Sequence, residues 1–174
     1  MKKLLILFCF VGLLSFPLLA QDYPKAEIFG GYQFLHSEGE NTNGWNASLT
    51  GNFNKYLGVT GDFGGASETV DVLGTNVNVR AYTYTGGPVL NLNHEGTVNP
   101  FVHALFGGVH FTGSAPGFGS GSLNGFTMMY GGGADLKMSK LLALRGQVDW
   151  VYLRVSGVSS SKNVRLSTGI VLRF

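Results

Sequence analysis

The sequence predicts an all-β fold, an eight-stranded antiparallel up-and-down transmembrane β-barrel preceded by a cleaved signal peptide. Three observations predict it. Apolar and polar residues alternate along most of the chain, and no apolar stretch approaches the length of a membrane-spanning helix. The composition combines 27 glycines and 13% aromatic residues with only 13% charged residues. A membrane barrel hides its apolar surface in every second residue, so continuous apolar runs are not expected.

Residues 1–20 are predicted to be a secretory signal peptide. Lys2 and Lys3 supply a positive start, a short apolar run follows, and Ala20 places a small residue before a polar break. The run is shorter than the roughly 20 residues that a spanning helix needs. We therefore expect cleavage after Ala20 rather than a membrane anchor, and one barrel domain over 21–174.

Charge and cysteine content exclude several kinds of site. The chain carries 12 basic and 10 acidic residues, and two of the lysines lie in the signal peptide. Nucleic-acid binding needs a clustered basic face and is not expected. The one cysteine, Cys9, also lies in the signal peptide, which leaves the barrel without a disulfide or a thiolate metal site.

The first four strands each show one apolar face opposite a face of mainly small and polar residues, although Phe29 and Leu35 dilute the polar face of the first strand. In chain order their apolar faces hold Ile28, Gly30, Tyr32 and Phe34, then Trp45, Ala47, Leu49, Gly51 and Phe53, then Leu57, Val59, Gly61 and Phe63, and finally, over about 77–93, Tyr82, Tyr84, Pro88, Leu90 and Leu92. Proline within a strand removes a ladder hydrogen bond, so Pro88 predicts a bulge or a shifted boundary.

The last three strands show the same alternation most clearly. Their apolar faces hold Phe126, Met128, Tyr130, Gly132, Ala134 and Leu136, then Leu142, Leu144, Gly146, Val148, Trp150 and Tyr152, then Val164, Leu166, Thr168, Ile170, Leu172 and Phe174. The fifth strand, over 100–112, is ambiguous because both of its faces are largely apolar, so either face could meet lipid. The total of eight is an even number, as in bacterial single-chain barrels.

The connections between strands are predicted to alternate in length. Long links are predicted at 36–44, 65–76, 113–124 and 156–163, tight ones at 54–55 and 139–140, and an intermediate one at 93–99. Such alternation is typical of a barrel with short periplasmic turns at one end and outside loops at the other.

The choice between a membrane barrel and a secreted soluble β-domain depends on which face points inwards. A sheet can cross hydrocarbon only when it is closed, because each unpaired backbone group there costs several kcal/mol. The polar face suits a hydrogen-bonded lumen, and Trp and Tyr lie towards strand ends as in aromatic girdles. We therefore expect the apolar face to meet the membrane, with Trp45, Leu49, Tyr82, Tyr84, Leu144, Val148, Trp150, Leu166, Ile170 and Leu172 among its residues.

The opposite face is predicted to form a polar network in the lumen, since buried charges must pair or meet water. Its members are Glu27, Asp62, Asp135, Arg145, Gln147, Asp149 and Arg165, and Lys137 and Arg173 are also expected to point inwards. Arg145, Asp149, Arg165 and Asp62, near the middle of their strands, are expected to share one ion network.

Three segments resemble OmpA-type outer-membrane β-barrel domains: RGQVDW at 145–150, PFVHALFGG at 100–108 and VRLSTGIVLRF at 164–174. The resemblance covers nearly the whole chain after the signal peptide. It implies a small eight-stranded barrel with a plugged lumen in the outer membrane of a Gram-negative-type bacterium. Members of that family are structural, adhesive or weakly pore-forming. The resemblance also implies that Phe174 is part of the signal read by the barrel-assembly machinery, with periplasmic chaperones as further partners during insertion.

The expected function is that of a non-enzymatic, monomeric barrel in outer-membrane lipid, with a structural or surface-contact role in the cell envelope. Two alternatives remain open, a narrow pore for ions or small solutes and a lipid-modifying barrel enzyme. No catalytic, cofactor or metal site is predicted. His103 and His110 fall on opposite faces of one strand, and the nearest serine to His110, Ser114, has no carboxylate close in sequence.

Overall fold

The structure is a computed structural model that describes residues 23–37, 40–72, 75–93, 96–115 and 119–174. The predicted signal peptide lies outside these ranges. The eight strands are β1 (Ala26–Ser37), β2 (Glu40–Asn52), β3 (Leu57–Val72), β4 (Thr75–Asn91), β5 (Val98–Ala115), β6 (Gly119–Lys137), β7 (Leu142–Val155) and β8 (Val158–Arg173). They follow one another antiparallel around a closed barrel, in which β1 pairs with both β2 and β8. The predicted fold class is confirmed. Within the described ranges, no helix is long and apolar enough to cross a membrane.

The two ends of the barrel connect their strands differently. One end, which we call the terminal end, holds the connections 53–56, 92–97 and 138–141. It also holds both ends of the sheet, where the amides of Lys25 and Ala26 donate to the carbonyl oxygen of Phe174. At the opposite end, which we call the hairpin end, β7 passes into β8 through only two residues.

The prediction of four long links at the hairpin end is wrong. β3 continues to Val72, β5 continues to Ala115, and β8 begins at Val158. The small and polar residues of these segments pair across strands like the rest of the wall. Since neither of their faces is apolar, the alternation that marks a strand in the sequence disappears there. The hairpin arms therefore extend the barrel wall beyond its apolar band.

Side chains alternate between the lumen and the outer face along the strands. Along β7 every second residue from Ala143 to Val151 is buried, and those between them are exposed. The ambiguity of β5 is resolved in the same way: Leu105 lies inside and Phe106 on the outer face. Lys137, expected to point inwards, is exposed at the end of β6, where the strand leaves the barrel.

Pro88 lies inside β4 without a bulge and without ending the strand. The β4–β5 register is the same on both sides of it, from Gly86↔Phe106 to Val89↔His103, but the two pairs in between are missing. Both missing pairs need an amide N–H at position 88 that would donate to the carbonyl of Ala104, and proline has none. The predicted bulge or shifted boundary is thus replaced by a local break in one ladder.

Candidate functional site: the charged lumen

The charged side chains inside the barrel form two clusters at different heights. The lower cluster lies towards the terminal end and consists of Glu27, Asp135, Arg145 and Arg173. The upper cluster lies above it and consists of Asp62, His103, Asp149 and Arg165. All eight residues are buried.

The lower cluster balances two arginines against two carboxylates. Arg145 donates through Nε and Nη2 to the two carboxylate oxygens of Asp135, at 2.7 and 2.8 Å, and through Nη2 to Glu27 at 2.9 Å. Arg173 Nη2 lies 2.7 Å from Asp135 Oδ2. The Arg145 guanidinium also lies over the rings of Phe29 and Phe101, at 5.6 and 4.5 Å from their centroids. The buried guanidinium therefore has carboxylate partners in its plane and aromatic rings on its faces, both of which favour its charge.

The upper cluster is built around Arg165. Its Nε and Nη2 donate to Asp149 Oδ2 at 2.9 and 2.7 Å, and its Nη1 donates to Asp62 Oδ1 at 2.7 Å. The second oxygen of Asp149 lies 2.6 Å from Nε2 of His103, and that of Asp62 accepts from the Asn46 amide at 3.0 Å. Each carboxylate oxygen in the cluster therefore has a partner, which offsets the cost of removing two negative charges from water.

The strand register explains why these charges meet. Asp135 pairs with Arg145 across β6 and β7, and Asp149 pairs with Arg165 across β7 and β8. Directly opposite residues on one face of an antiparallel pair place their Cβ atoms within about 5.5 Å, so opposite charges there attract. Asp62 reaches Arg165 from β3, across the lumen.

The residues predicted for the lumen are all buried, but they do not form one network. Glu27, Asp62, Asp135, Arg145, Gln147, Asp149 and Arg165 are each at most 7% exposed. Arg145 belongs to the lower cluster, whereas Asp62, Asp149 and Arg165 form the upper one, so the expectation of a single ion network of these four is wrong. The spacing along a strand could not reveal this, because the height of a residue depends on the register of its strand.

His103 is the residue that sequence reasoning missed. Its strand has two apolar faces, so the sequence does not indicate which of them enters the lumen. Once Leu105 and Phe101 are known to lie inside, the period of two places His103 there as well. His110, at an odd separation, lies on the outer face, where its Nδ1 is 2.7 Å from Asn124 Oδ1.

Little space remains between the two clusters. A cavity of about 10 Å³ is bordered by residues of both, including Glu27, Asp62, His103 and Arg145. That volume holds about one water molecule. Two small apolar clusters fill further parts of the interior, one of Phe29, Ala143 and Val171 and one of Leu105, Met129 and Val151. Among the described residues, no group of three His, Cys, Asp or Glu side chains is arranged to hold a metal ion.

The outer face is apolar along the whole height that these clusters occupy. Each of the ten residues predicted for the membrane-facing surface is between 42% and 58% exposed: Trp45, Leu49, Tyr82, Tyr84, Leu144, Val148, Trp150, Leu166, Ile170 and Leu172. Contiguous apolar surface on this scale is rare in a soluble monomer. The chain thus has an inverted arrangement, with charges in the centre and apolar side chains on the periphery.

Solved structures with the same fold are outer-membrane barrels. Ail, the attachment invasion locus protein of Yersinia pestis, superposes with a TM-score of 0.62 at 21% sequence identity, over 87% of this chain and 99% of that chain. For Neisserial surface protein A the TM-score is 0.65 and the identity 12%, over 88% and 98%. For the N-terminal β-barrel domain of Pseudomonas aeruginosa OprF they are 0.56 and 11%, over 87% and 99%.

At these identities the likeness shows the fold alone. No curated protein sequence matches the chain. The family model for the outer membrane protein beta-barrel domain, however, matches residues 6–174, nearly the entire chain. The resemblance drawn from the sequence and the outer-membrane localisation that it implied are both confirmed. This chain belongs to the outer membrane protein β-barrel domain family.

Proposed function

We propose that this protein is a non-enzymatic, non-conducting barrel that supports the cell envelope and presents its hairpin end to surfaces outside. The observation that carries the proposal is the closed lumen, in which two charge-paired clusters leave a cavity of only about 10 Å³ between them.

An ion that crossed the barrel would have to pass both clusters. Arg145 and Arg165 each bridge two carboxylates from different strands, and they lie one above the other along the axis. Breaking a buried ion pair by removal of one partner costs about 3–5 kcal/mol. The paired, closed arrangement is therefore the one that the barrel occupies at rest.

The same residues supply the test of conductance. The full-length protein, processed in cells and purified, should give no steady current in a planar lipid bilayer. The variant Arg145→Ser/Arg165→Ser should conduct, and cations should carry the current because four carboxylates remain. The matched control Arg80→Ser/Arg154→Ser removes two exposed arginines and should stay closed. Steady wild-type current equal to that of the lumen variant would favour the narrow-pore alternative instead.

The absence of enzymatic activity is a separate part of the proposal. Mass spectra of lipid A from cells with and without the protein should be the same. If a modified lipid A species appeared only in cells with the protein, the alternative of a lipid-modifying enzyme would be favoured over the structural role.

The orientation in the membrane follows from the two ends of the barrel. We assign the terminal end to the periplasm because both ends of the sheet lie there, and because the hairpin arms at the opposite end extend beyond the apolar band, as the extracellular parts of such barrels do. A Ser159→Cys variant introduces a thiol at the hairpin end. It should react with a membrane-impermeant maleimide in intact cells, whereas Lys140→Cys at the terminal end should react only after lysis.

A surface-contact role is supported by one structural relative. Ail has been solved in complex with the heparin analogue sucrose octasulfate, so a barrel of this fold can present a ligand-binding surface. For this protein we assign the contact role to the hairpin end, which the proposed orientation places outside the cell.

We further propose that the barrel is monomeric and that Phe174 is read by the barrel-assembly machinery after delivery by periplasmic chaperones. Phe174 is 54% exposed and its backbone closes the sheet against Lys25 and Ala26. Phe174→Ser should slow insertion without altering the stability of the inserted barrel, as measured by pulse-chase and by unfolding. An unchanged insertion rate would remove this role.

A further inference from the structure

The outer face carries a groove that the proposed function does not use. It crosses β1, β8, β7 and β6 and has a volume of about 460 Å³. Its walls are Tyr32, Phe34, Val148 and Leu166, and its floor is opened by Gly132 and Gly146. A Cβ atom built on Gly146 meets nothing within 4 Å, so the groove exists because this position has no side chain.

The groove lies in the half of the apolar band nearer the hairpin end. Leu166 is eight residues from Phe174, which at about 3.3 Å per residue and a tilt of about 40° places it roughly 20 Å above the terminal end. The apolar band of such barrels is about 25 Å tall. With the orientation proposed above, on which this inference rests, the groove faces the outer leaflet.

Two basic residues lie above the groove on the same strands. Arg154 of β7 and Lys162 of β8 are both exposed. Lys162 is twelve residues from Phe174, about 30 Å above the terminal end by the same reckoning, and therefore just beyond the apolar band. Within β7 and β8, which are described without gaps, the only acidic residue is Asp149, and it points into the lumen.

Lys162 lies beside a β-bulge and points away from the lumen. Val151 pairs with Asn163 and Leu153 pairs with Ser160, so two residues of β8, Ser161 and Lys162, stand opposite Tyr152 alone. Because Asn163 is buried, the period of two turns Lys162 outwards, and the bulge inserts Ser161 between Lys162 and Ser160.

Two stacked aromatic side chains lie between the groove and the basic pair. Trp150 stacks on Tyr130 with ring centroids 6.5 Å apart, and its partner Val164 is ten residues from Phe174, at the edge of the apolar band. Indole and phenol rings favour the boundary between acyl chains and headgroups. From bottom to top, this face therefore offers space for a hydrocarbon chain, an interfacial aromatic layer and two positive charges.

We propose that this face binds lipid A, the phosphorylated acylated glycolipid of the outer leaflet, with one acyl chain in the groove and a phosphate at Arg154 and Lys162. A cavity of about 150 Å³ holds one benzene molecule, so a groove about three times larger suits one long acyl chain. The arginine and lysine supply the donors and charge that a phosphate needs. The acyl chain and the phosphate can belong to one lipid molecule, because Leu166 in the groove and Lys162 in the basic pair are only four residues apart along β8.

The test is a titration of the full-length, processed protein in detergent, read by native mass spectrometry. The probes are hexa-acylated bisphosphorylated lipid A, its dephosphorylated form, and phosphatidylglycerol. The wild type should retain bisphosphorylated lipid A most tightly. Gly146→Leu should weaken this binding about fivefold by filling the groove. Arg154→Gln/Lys162→Gln should weaken it about 20-fold and abolish the preference for the phosphorylated form.

The matched controls are Gly51→Leu and Arg80→Gln. Gly51 lies on the outer face of β2 with open space around its Cβ position, and Arg80 is exposed on β4, so neither change should alter lipid binding. Equal binding by Gly146→Leu and Gly51→Leu would overturn the proposal. So would tighter retention of phosphatidylglycerol than of lipid A, or a dimer that Gly146→Leu dissociates while lipid binding is unchanged. Conductance and thiol labelling are read separately, so failure of the proposed function is distinguishable from failure of this site.

Discussion

Arg165 illustrates how a single residue can organise the interior of this barrel. It contacts Asp149 on the neighbouring strand and Asp62 across the lumen, at 2.7 Å in each case. The net gain from such a buried pair is modest, because desolvation offsets attraction, but loss of one partner leaves the other charge buried and uncompensated. Removing Arg165 is therefore expected to cost more stability than its ion pairs contribute, because its removal leaves two buried carboxylates without a positive partner.

Replacement of Arg165 should therefore be costly. Arg165→Gln should lower the free energy of unfolding by about 3–5 kcal/mol, because Asp62 and Asp149 would lose their positive partner. Urea unfolding of the barrel in lipid vesicles measures the change. Arg154→Gln, at an exposed arginine, should change the stability by no more than about 0.5 kcal/mol. Similar losses for both variants would contradict the structural role of the upper cluster.

At the scale of the element, β4 contains a break in its ladder with β5. The pairs that would join Gly87 to Leu105 and Pro88 to Ala104 are missing. Pro88 lies on the outer face, where water cannot replace the lost donor. An unpaired backbone group in hydrocarbon is unfavourable, so the ladder between β4 and β5 is locally weakened.

Restoring the donor should strengthen this ladder. Pro88→Val should raise the free energy of unfolding by about 1 kcal/mol, the typical net value of one hydrogen bond. Hydrogen exchange should also show stronger protection of the Ala104 and Phe106 amides, which face β4. Leu90→Val is the control, because it places valine on the outer face of the same strand without adding a donor. A gain at both positions, or at neither, would argue against the missing bond as the cause.

The β7–β8 hairpin depends on a different local property. Ser156 and Gly157 have φ angles of 49° and 87°, both positive as a type I′ turn requires. This turn matches the twist of the strands it joins and so fixes their register at the hairpin end.

Gly157→Ala should destabilise the barrel by about 1–2 kcal/mol, because an alanine Cβ is strained at positive φ. Gly113→Ala is a suitable comparison: a Cβ there meets open space and the backbone is not left-handed. Thermal unfolding in detergent, followed by the change in gel mobility on boiling, reports both. A loss at Gly113 as large as that at Gly157 would show that the turn conformation is not responsible.

The whole molecule is stable in a membrane because its sheet closes on itself and its apolar face points outwards. β1 pairs with β8 along almost its entire length, so the barrel presents no open edge to the lipid. Leu144 pairs with Ile170, about 10 Å above the terminal end, near the middle of an apolar band about 25 Å tall. Leu141 lies in the connection at the terminal end, outside that band.

A charge on the outer face should therefore have an effect that depends on depth. Leu144→Arg should cost about 2–4 kcal/mol and Leu141→Arg at most about 1 kcal/mol. The yield of barrel in the membrane fraction that changes mobility on boiling should fall for the first variant and stay near wild type for the second. Equal yields would contradict the assignment of the outer face.

The sequence by itself determined the class of the fold and the side to which most residues point. Faces with a period of two are a local property of each strand, so Val148 and Asp149 could be assigned to opposite sides without any knowledge of their neighbours. The predicted export signal and the charges on the polar face favoured the membrane barrel over a soluble one.

Only the tertiary structure decided the features that depend on how strands are aligned. The register sets the height of each charge, and it separates Arg145 from Arg165 into two clusters. The inward face of β5 follows from its pairing with β4 and β6, since both of its faces are apolar. The groove also requires barrel closure, which brings Tyr32 of β1 next to Thr168 of β8, residues that lie far apart along the chain. Register and closure are cooperative properties of the entire sheet, and no local stretch of sequence encodes them.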